Sequence, residues 1–159
     1  MLVLLFHIGA DRYAIETRAI IEIVPLARLK AIPQAPGWVA GLLDYRGRSV
    51  PVVDLCRLSL GQVAAPAFSS RTLIVRYRRE HDTDTHVLGL TVERVLRTER
   101  MESDQFVSSG VDSPDARYLG PVASTADGMV QVVEVNDLLT DEVHRLLFPM
   151  VGSTPQSTV

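Results

Sequence analysis

The chain has 159 residues, 47% of them hydrophobic, and a formal charge of -3. That length suits one domain or two small subdomains sharing a core, and the apolar content excludes global disorder. The charge balance argues against a protein that holds nucleic acid electrostatically, and a single cysteine, Cys56, excludes an intrachain disulfide and a cysteine-based metal site.

The first residues, Met1 to Ile8, are apolar but short, lack a basic flank and run directly into Gly9-Ala10-Asp11-Arg12. They read as a buried first strand over Leu2 to Ile8 rather than a signal peptide or membrane span. A turn at Gly9 to Asp11 leads to a second strand over Arg12 to Glu16. Thr17 to Ile20 suits a short helical turn with Thr17 as N-cap. The β-branched run Ile20 to Val24 predicts a strand that Pro25 interrupts, and Leu29 to Ile32 a short strand.

Pro33 to Gly37 is rich in turn residues. The segment from Gly41 to Leu55 then predicts a β-hairpin with Arg46-Gly47 at its tip, Gly47 supplying the positive φ of a tight turn. Pro51 has no N–H to donate, which predicts an edge position or a bulge for the second hairpin strand. Asp54 suits the N-cap of a short helix at Leu55 to Leu58. Gln62 to Ser70 reads as a linker.

Thr72 to Tyr77 and His86 to Val92 predict an antiparallel pair joined by the charged loop Arg78 to Thr85, and Glu93 to Glu99 reads as an extension of the second strand. Met101 to Pro114 reads as irregular. Tyr118 to Ala123 and Met129 to Val135 predict another hairpin, followed by a C-terminal helix capped by Asn136 or Thr140 and ending near Phe148. The last residues, 151–159, read as a flexible tail. Val50-Pro51-Val52-Val53-Asp54-Leu55 is echoed by Val130-Gln131-Val132-Val133-Glu134-Val135. The echo and the frequent turns point to an all-β chain with short helices, built from two similar barrels rather than a parallel sheet.

Candidate chemistry is sparse. Cys56 sits between Leu55 and Leu58 and reads as a core side chain; no local signature pairs it with His7, His81, His86 or His144 as a nucleophile with its base. The four histidines show no recognised metal-ligand spacing, and His81 and His86 with Asp82 and Asp84 read as an exposed hairpin loop. Arg76, Arg78 and Arg79 are followed by Glu80, Asp82 and Asp84, as in a solvated loop. Exposed apolar residues within Ile20 to Val24 or Val87 to Leu90 would mark an interface. The residues therefore predict no enzyme, no cofactor and no metal site. Arg46 and Arg48 are the charges that a mere turn does not explain, because such a tip would ordinarily use Asn-Gly or Asp-Gly.

Around that hairpin the chain resembles the CheW family of chemotaxis coupling proteins. The matching residues run from the Phe6 strand through Arg12-Tyr13-Ala14-Ile15, Ile20 to Pro25, Pro33 to Pro36 and Val39 to Leu55, to Leu88-Gly89-Leu90-Thr91-Val92-Glu93-Arg94-Val95. The resemblance implies a single domain over residues 1–150, made of two SH3-like five-stranded barrels packed on a shared hydrophobic core, with subdomains near 12–68 and 69–135 and the terminal segments completing them. It implies a non-enzymatic cytoplasmic adaptor, recruited to membrane-anchored arrays, that links the cytoplasmic tip of chemoreceptors to a CheA-type histidine kinase and can self-associate there, without nucleic acid or membrane insertion. By the same analogy the groove between the barrels takes the receptor hairpin and the first barrel docks on the kinase's regulatory domain. Receptor and kinase contacts fall by motif position on Ile20, Glu22 and Val24 and on Gly41, Asp44, Tyr45, Arg46, Gly47 and Arg48.

The family's hairpin usually reads Asn-Leu-Arg-Gly, whereas this chain has Asp44-Tyr45-Arg46-Gly47. Asp44 adds a charge able to pair with Arg46, and Tyr45 adds an aromatic surface. These departures, with the distinctive loops, resemble adaptors of alternative chemosensory systems such as the Wsp type. The residues also leave open a second class, a small-ligand or cyclic-dinucleotide sensor using the groove between barrels.

Overall fold

The computed structural model describes residues 1–61 and 70–149. Residues 62–69 of the linker expected over Gln62 to Ser70, and the tail expected over 151–159, lie outside the described residues. In chain order the strands are β1 (Leu2–Ile8), β2 (Asp11–Glu16), β3 (Ile20–Pro25), β4 (Val39–Tyr45), β5 (Arg48–Asp54), β6 (Arg71–Tyr77), β7 (His86–Val92), β8 (Arg94–Arg100), β9 (Leu119–Thr125) and β10 (Gly128–Val133). Two short helices, α1 (Leu55–Leu60) and α2 (Asp141–Leu147), follow β5 and β10.

The strands form two five-stranded sheets, ordered β8-β1-β2-β10-β9 and β3-β6-β7-β5-β4. The two orders follow one plan. Each sheet has an antiparallel hairpin at its centre, a parallel neighbour (β10 on β2, β5 on β7) and an antiparallel edge strand on the far side. The echoed segments thus occupy the same place in their respective sheets. The first sheet takes its strands from residues 2–16 and 94–133, the second from 20–54 and 71–92. The units therefore do not divide near residue 68: the second sheet is inserted into the first.

Three local expectations differ from the structure. β5 lies inside its sheet, not at an edge; Pro51 is accommodated because pairing to β7 begins only at Val52, opposite Gly89. Glu93 does not extend β7 but ends it, and β8 crosses to pair with β1. The Glu93 carboxylate accepts the Gly9 N–H at 2.6 Å, which pins the crossing to the turn after β1. Thr17 opens the expected helical turn without capping it, since its hydroxyl donates to the Leu2 carbonyl. The two helix caps at Asp54 and Thr140 form as expected, each side chain accepting from the backbone N–H three residues on.

Burial follows the strand period of two. On β1, Leu4, Phe6 and Ile8 face a large core shared with Leu73, Val75, Tyr77, Leu88 and Leu90 of the other sheet. The intervening Val3 and Leu5 face a smaller core with Ala14, Met101, Ala123 and Val130. Ile74 turns the opposite way from Leu73 and Val75 and meets Leu43 and Val52 in a third core. Strands β1 and β6 are thus apolar on both faces because each lies between its own barrel interior and the common interface.

Candidate functional site

The β4–β5 hairpin closes through a two-residue loop, with Tyr45 opposite Arg48 in the ladder. Arg46 has φ 52° and Gly47 φ 81°, the signs that a type I′ turn demands at both central positions. Glycine adopts this freely, whereas an arginine there costs about 1–2 kcal/mol. Side-chain contacts offset that cost. The Gly47 N–H donates to Asp44 Oδ1 at 3.1 Å, which braces the turn from within. Arg46 Nη2 donates to Glu22 Oε1 at 2.8 Å, and the Tyr45 hydroxyl donates to the same oxygen at 2.5 Å. The guanidinium carbon also lies 5.3 Å from the centre of the Tyr45 ring. Asp44 therefore holds the turn and leaves Arg46 to Glu22, contrary to the expected Asp44–Arg46 pair.

Glu22 belongs to β3 and the hairpin tip to β4, the two outer strands of one sheet. The contact draws those edges together, and Val24, Leu29 and Tyr45 pack on the core beneath it. The hydrogen bond to Glu22 raises the Tyr45 phenol above its ordinary value; desolvation adds to the shift and the Arg46 charge opposes it. The Arg46 side chain remains 74% exposed, so its charge is available at the surface. Arg48 is exposed on the adjoining strand.

Gly41 plays a backbone role. Its φ is +145° and it is buried; a Cβ there would stand 2.6 Å from the Lys30 carbonyl oxygen. That close approach lets Lys30 and Leu42 exchange two backbone hydrogen bonds, which is what remains of the short strand expected over Leu29 to Ile32.

On β3, Ile20 packs against the shared core and Val24 against the third core. Flanking Glu22, Ile21 and Ile23 are exposed, with Leu26 exposed just beyond the strand. The structure thus gathers Glu22, Asp44, Tyr45, Arg46 and Gly47 at one place, buries Gly41 and turns Ile20 and Val24 inward. Ile21 and Ile23 are the apolar surface that motif position alone missed. Strict alternation about Glu22 is the signal that identifies them.

Cys56 and the arginine cluster are structural. Cys56 is buried, and burial, with Glu93 and Asp54 adding to it, pushes its thiol up to about 11. A thiol held so far from ionisation is no nucleophile at neutral pH. Arg76 donates to the Arg18 carbonyl, Arg78 to the Asp82 carbonyl, and Arg79 is paired with Asp141. The Arg76–Arg79 cluster therefore fastens loops rather than forming a free basic patch. A groove of about 370 Å³ between the two sheets is lined by Glu16, Arg18, Arg76, Arg78, Glu134 and Asn136, among others. No helix among the described residues is long and apolar enough to cross a membrane.

The CheW-like domain profile matches residues 2–143. Chemotaxis protein CheW of Helicobacter pylori is 26% identical over 138 residues, covering 84% of this chain and 78% of that protein. Chemotaxis protein CheW of Treponema pallidum is 22% identical over 149 residues, covering 86% and 81%. Protein FrzA of Myxococcus xanthus is 26% identical over 126 residues, covering 77% and 74%. Among solved structures, the scaffolding protein TtCheW from Thermoanaerobacter tengcongensis superposes with a TM-score of 0.77 at 21% identity, covering 87% of each chain, and shares the fold. The chain belongs to the CheW-like family, whose members are non-enzymatic adaptors of chemosensory signalling.

Proposed function

We propose that this protein couples chemoreceptors to a CheA-type histidine kinase, binding the helical cytoplasmic tip of the receptor and holding the kinase beside it in a membrane-anchored array. The observation that carries the reading is a pair of features built on one strand, β3. Arg46 is exposed yet held by Tyr45 and by Glu22 of β3, and the other face of that edge strand presents Ile21 and Ile23. A fixed guanidinium offers bidentate contact to a partner carboxylate, and a hairpin already in its docking shape loses little entropy on binding. The apolar edge supplies the desolvated contact that charge alone does not. Family membership favours this reading over a small-ligand sensor.

Titration of the intact protein against a receptor-tip fragment and against the kinase's regulatory domain tests it. Arg46→Glu and Ile23→Asp each weaken binding to at least one of these partners, and truncation of Arg46 as an interfacial anchor costs on the order of 2 kcal/mol. Unchanged affinity of both variants for both partners rejects the surface proposed.

A further inference from the structure

The β6–β7 loop and helix α2 border a cavity of about 690 Å³. Asp82, from the loop, and His144, from α2, stand on its wall, and His86 closes in from the start of β7. His144 Nε2 lies 3.7 Å and His86 Nε2 4.0 Å from Asp82 Oδ2. Asp82 Oδ2 is buried, yet no hydrogen-bond donor among the described residues reaches it. Three ligand-type atoms, one from each residue, lie within 4.8 Å of one another.

These separations are too long for hydrogen bonds but suit atoms that share an ion. Two ligand atoms bound tetrahedrally to zinc at their usual lengths stand about 3.4 Å apart. The ring positions are already constrained. His86 stacks on Phe148 with ring centres 4.4 Å apart and planes 20° from parallel. His144 Nδ1 meets the Tyr77 hydroxyl at 3.0 Å. With Nδ1–H donating to that hydroxyl, Nε2 turns its lone pair toward Asp82, the outer-shell arrangement that orients metal-binding histidines. Arg79, Arg117 and Arg145 face the same cavity and are opposed by Glu80 and Asp137 in the lining and by Asp141, the partner of Arg79.

We propose that Asp82, His86 and His144 form a binding site for a divalent first-row transition metal ion, with zinc as the ion that two imidazoles and one carboxylate take in tetrahedral geometry. Magnesium and calcium are disfavoured because two of the three donors are nitrogen. The ion ties the C-terminal helix to the β6–β7 loop. His86 and Phe148 also border a pocket with Arg48 and Ser49 of the hairpin, but the three ligands include none of the residues given a coupling role.

The test is titration of the chelator-treated, full-length protein with zinc chloride alone, followed by calorimetry, with cobalt(II) absorption as a second readout. One equivalent binds, cobalt develops the visible bands of a tetrahedral site, and the unfolding midpoint rises with zinc. His86→Ala and Asp82→Asn each weaken zinc binding at least tenfold, and His81→Ala leaves it unchanged. Asp82→Asn preserves shape, so it carries the result should an alanine variant fail to fold; circular dichroism in chelator checks this. Absence of binding by the wild type, or equal affinity in wild type, His86→Ala and Asp82→Asn, overturns the site.

Discussion

Arg46 Nη2 stands 2.8 Å from Glu22 Oε1, joining a hairpin tip to the opposite edge of the same sheet. Both side chains are substantially exposed, at 74% and 37%, so water screens the pair. A double-mutant cycle with Arg46→Ala and Glu22→Ala yields a coupling of about 0.2–1 kcal/mol in chemical denaturation. The charge-swapped double variant, Glu22→Arg with Arg46→Glu, recovers stability relative to either single reversal. A coupling well above that range would show that the contact holds the fold together rather than posing the arginine.

The two hairpin glycines differ in what they tolerate. At Gly41 a new Cβ meets the Lys30 carbonyl oxygen at 2.6 Å and φ is +145°, so Gly41→Ala opens the Lys30–Leu42 bridge and costs at least about 2 kcal/mol. At Gly47 a Cβ meets nothing within 4 Å, and only the positive φ opposes a side chain. Gly47→Ala therefore costs about 1 kcal/mol, and Gly47→Asn less. Urea midpoints at constant slope rank the three variants.

Phe6 is fully buried in the core common to both sheets and lies 6.3 Å, ring centre to ring centre, from Tyr13. Truncation leaves a cavity that neither sheet can fill alone. Phe6→Ala loses about 3–5 kcal/mol, measured by thermal or denaturant unfolding, whereas Phe6→Leu loses a smaller part of it. A loss under about 1 kcal/mol would contradict a rigid shared interface.

Cys56 links burial to pH. Its thiol rises from 9.0 to about 11 in the folded chain. Below the unfolded value both states keep the proton, and stability is unaffected. As pH climbs through the window between the two values, the unfolded thiol ionises first, so stability falls. Cys56→Ala removes that part of the alkaline loss. At pH 8 a thiol reagent modifies the native protein slowly and the urea-unfolded protein rapidly; equal rates would place the sulfur at the surface.

Local signals were legible in the sequence. The period of two located the strands, Asp54 and Thr140 marked helix starts, and Arg46-Gly47 marked the hairpin tip, because each of these depends on neighbours within a few residues. Pairings across long separations were not legible. Glu22 is 24 residues from Arg46, and Asp82 is far from His144 in sequence; nothing local announces either meeting. Glu93 looked like one more strand residue because its side chain finds Gly9 only after the sheets have packed. Pro51 suggested an edge because its missing N–H is evident in sequence, whereas the register that accommodates it is not. Motif position brought attention to β3, and its period of two sets Ile21 and Ile23 apart from Ile20 and Val24, but which pair looks outward is decided by the packing of the sheet.

The insertion of one sheet within the other sets an order of assembly. Every strand of the β3-β6-β7-β5-β4 sheet lies between Ile20 and Val92, so its loops close over modest spans. The other sheet must bring Met1 to Met101, one hundred residues apart. Closure entropy grows with loop length, and distant pairings are slow to form. During synthesis the inner sheet has all its strands before β9 and β10 exist, while β1 and β2 wait with both faces of β1 apolar. The opening strand is therefore the segment of this chain most exposed to mispairing before its partners arrive.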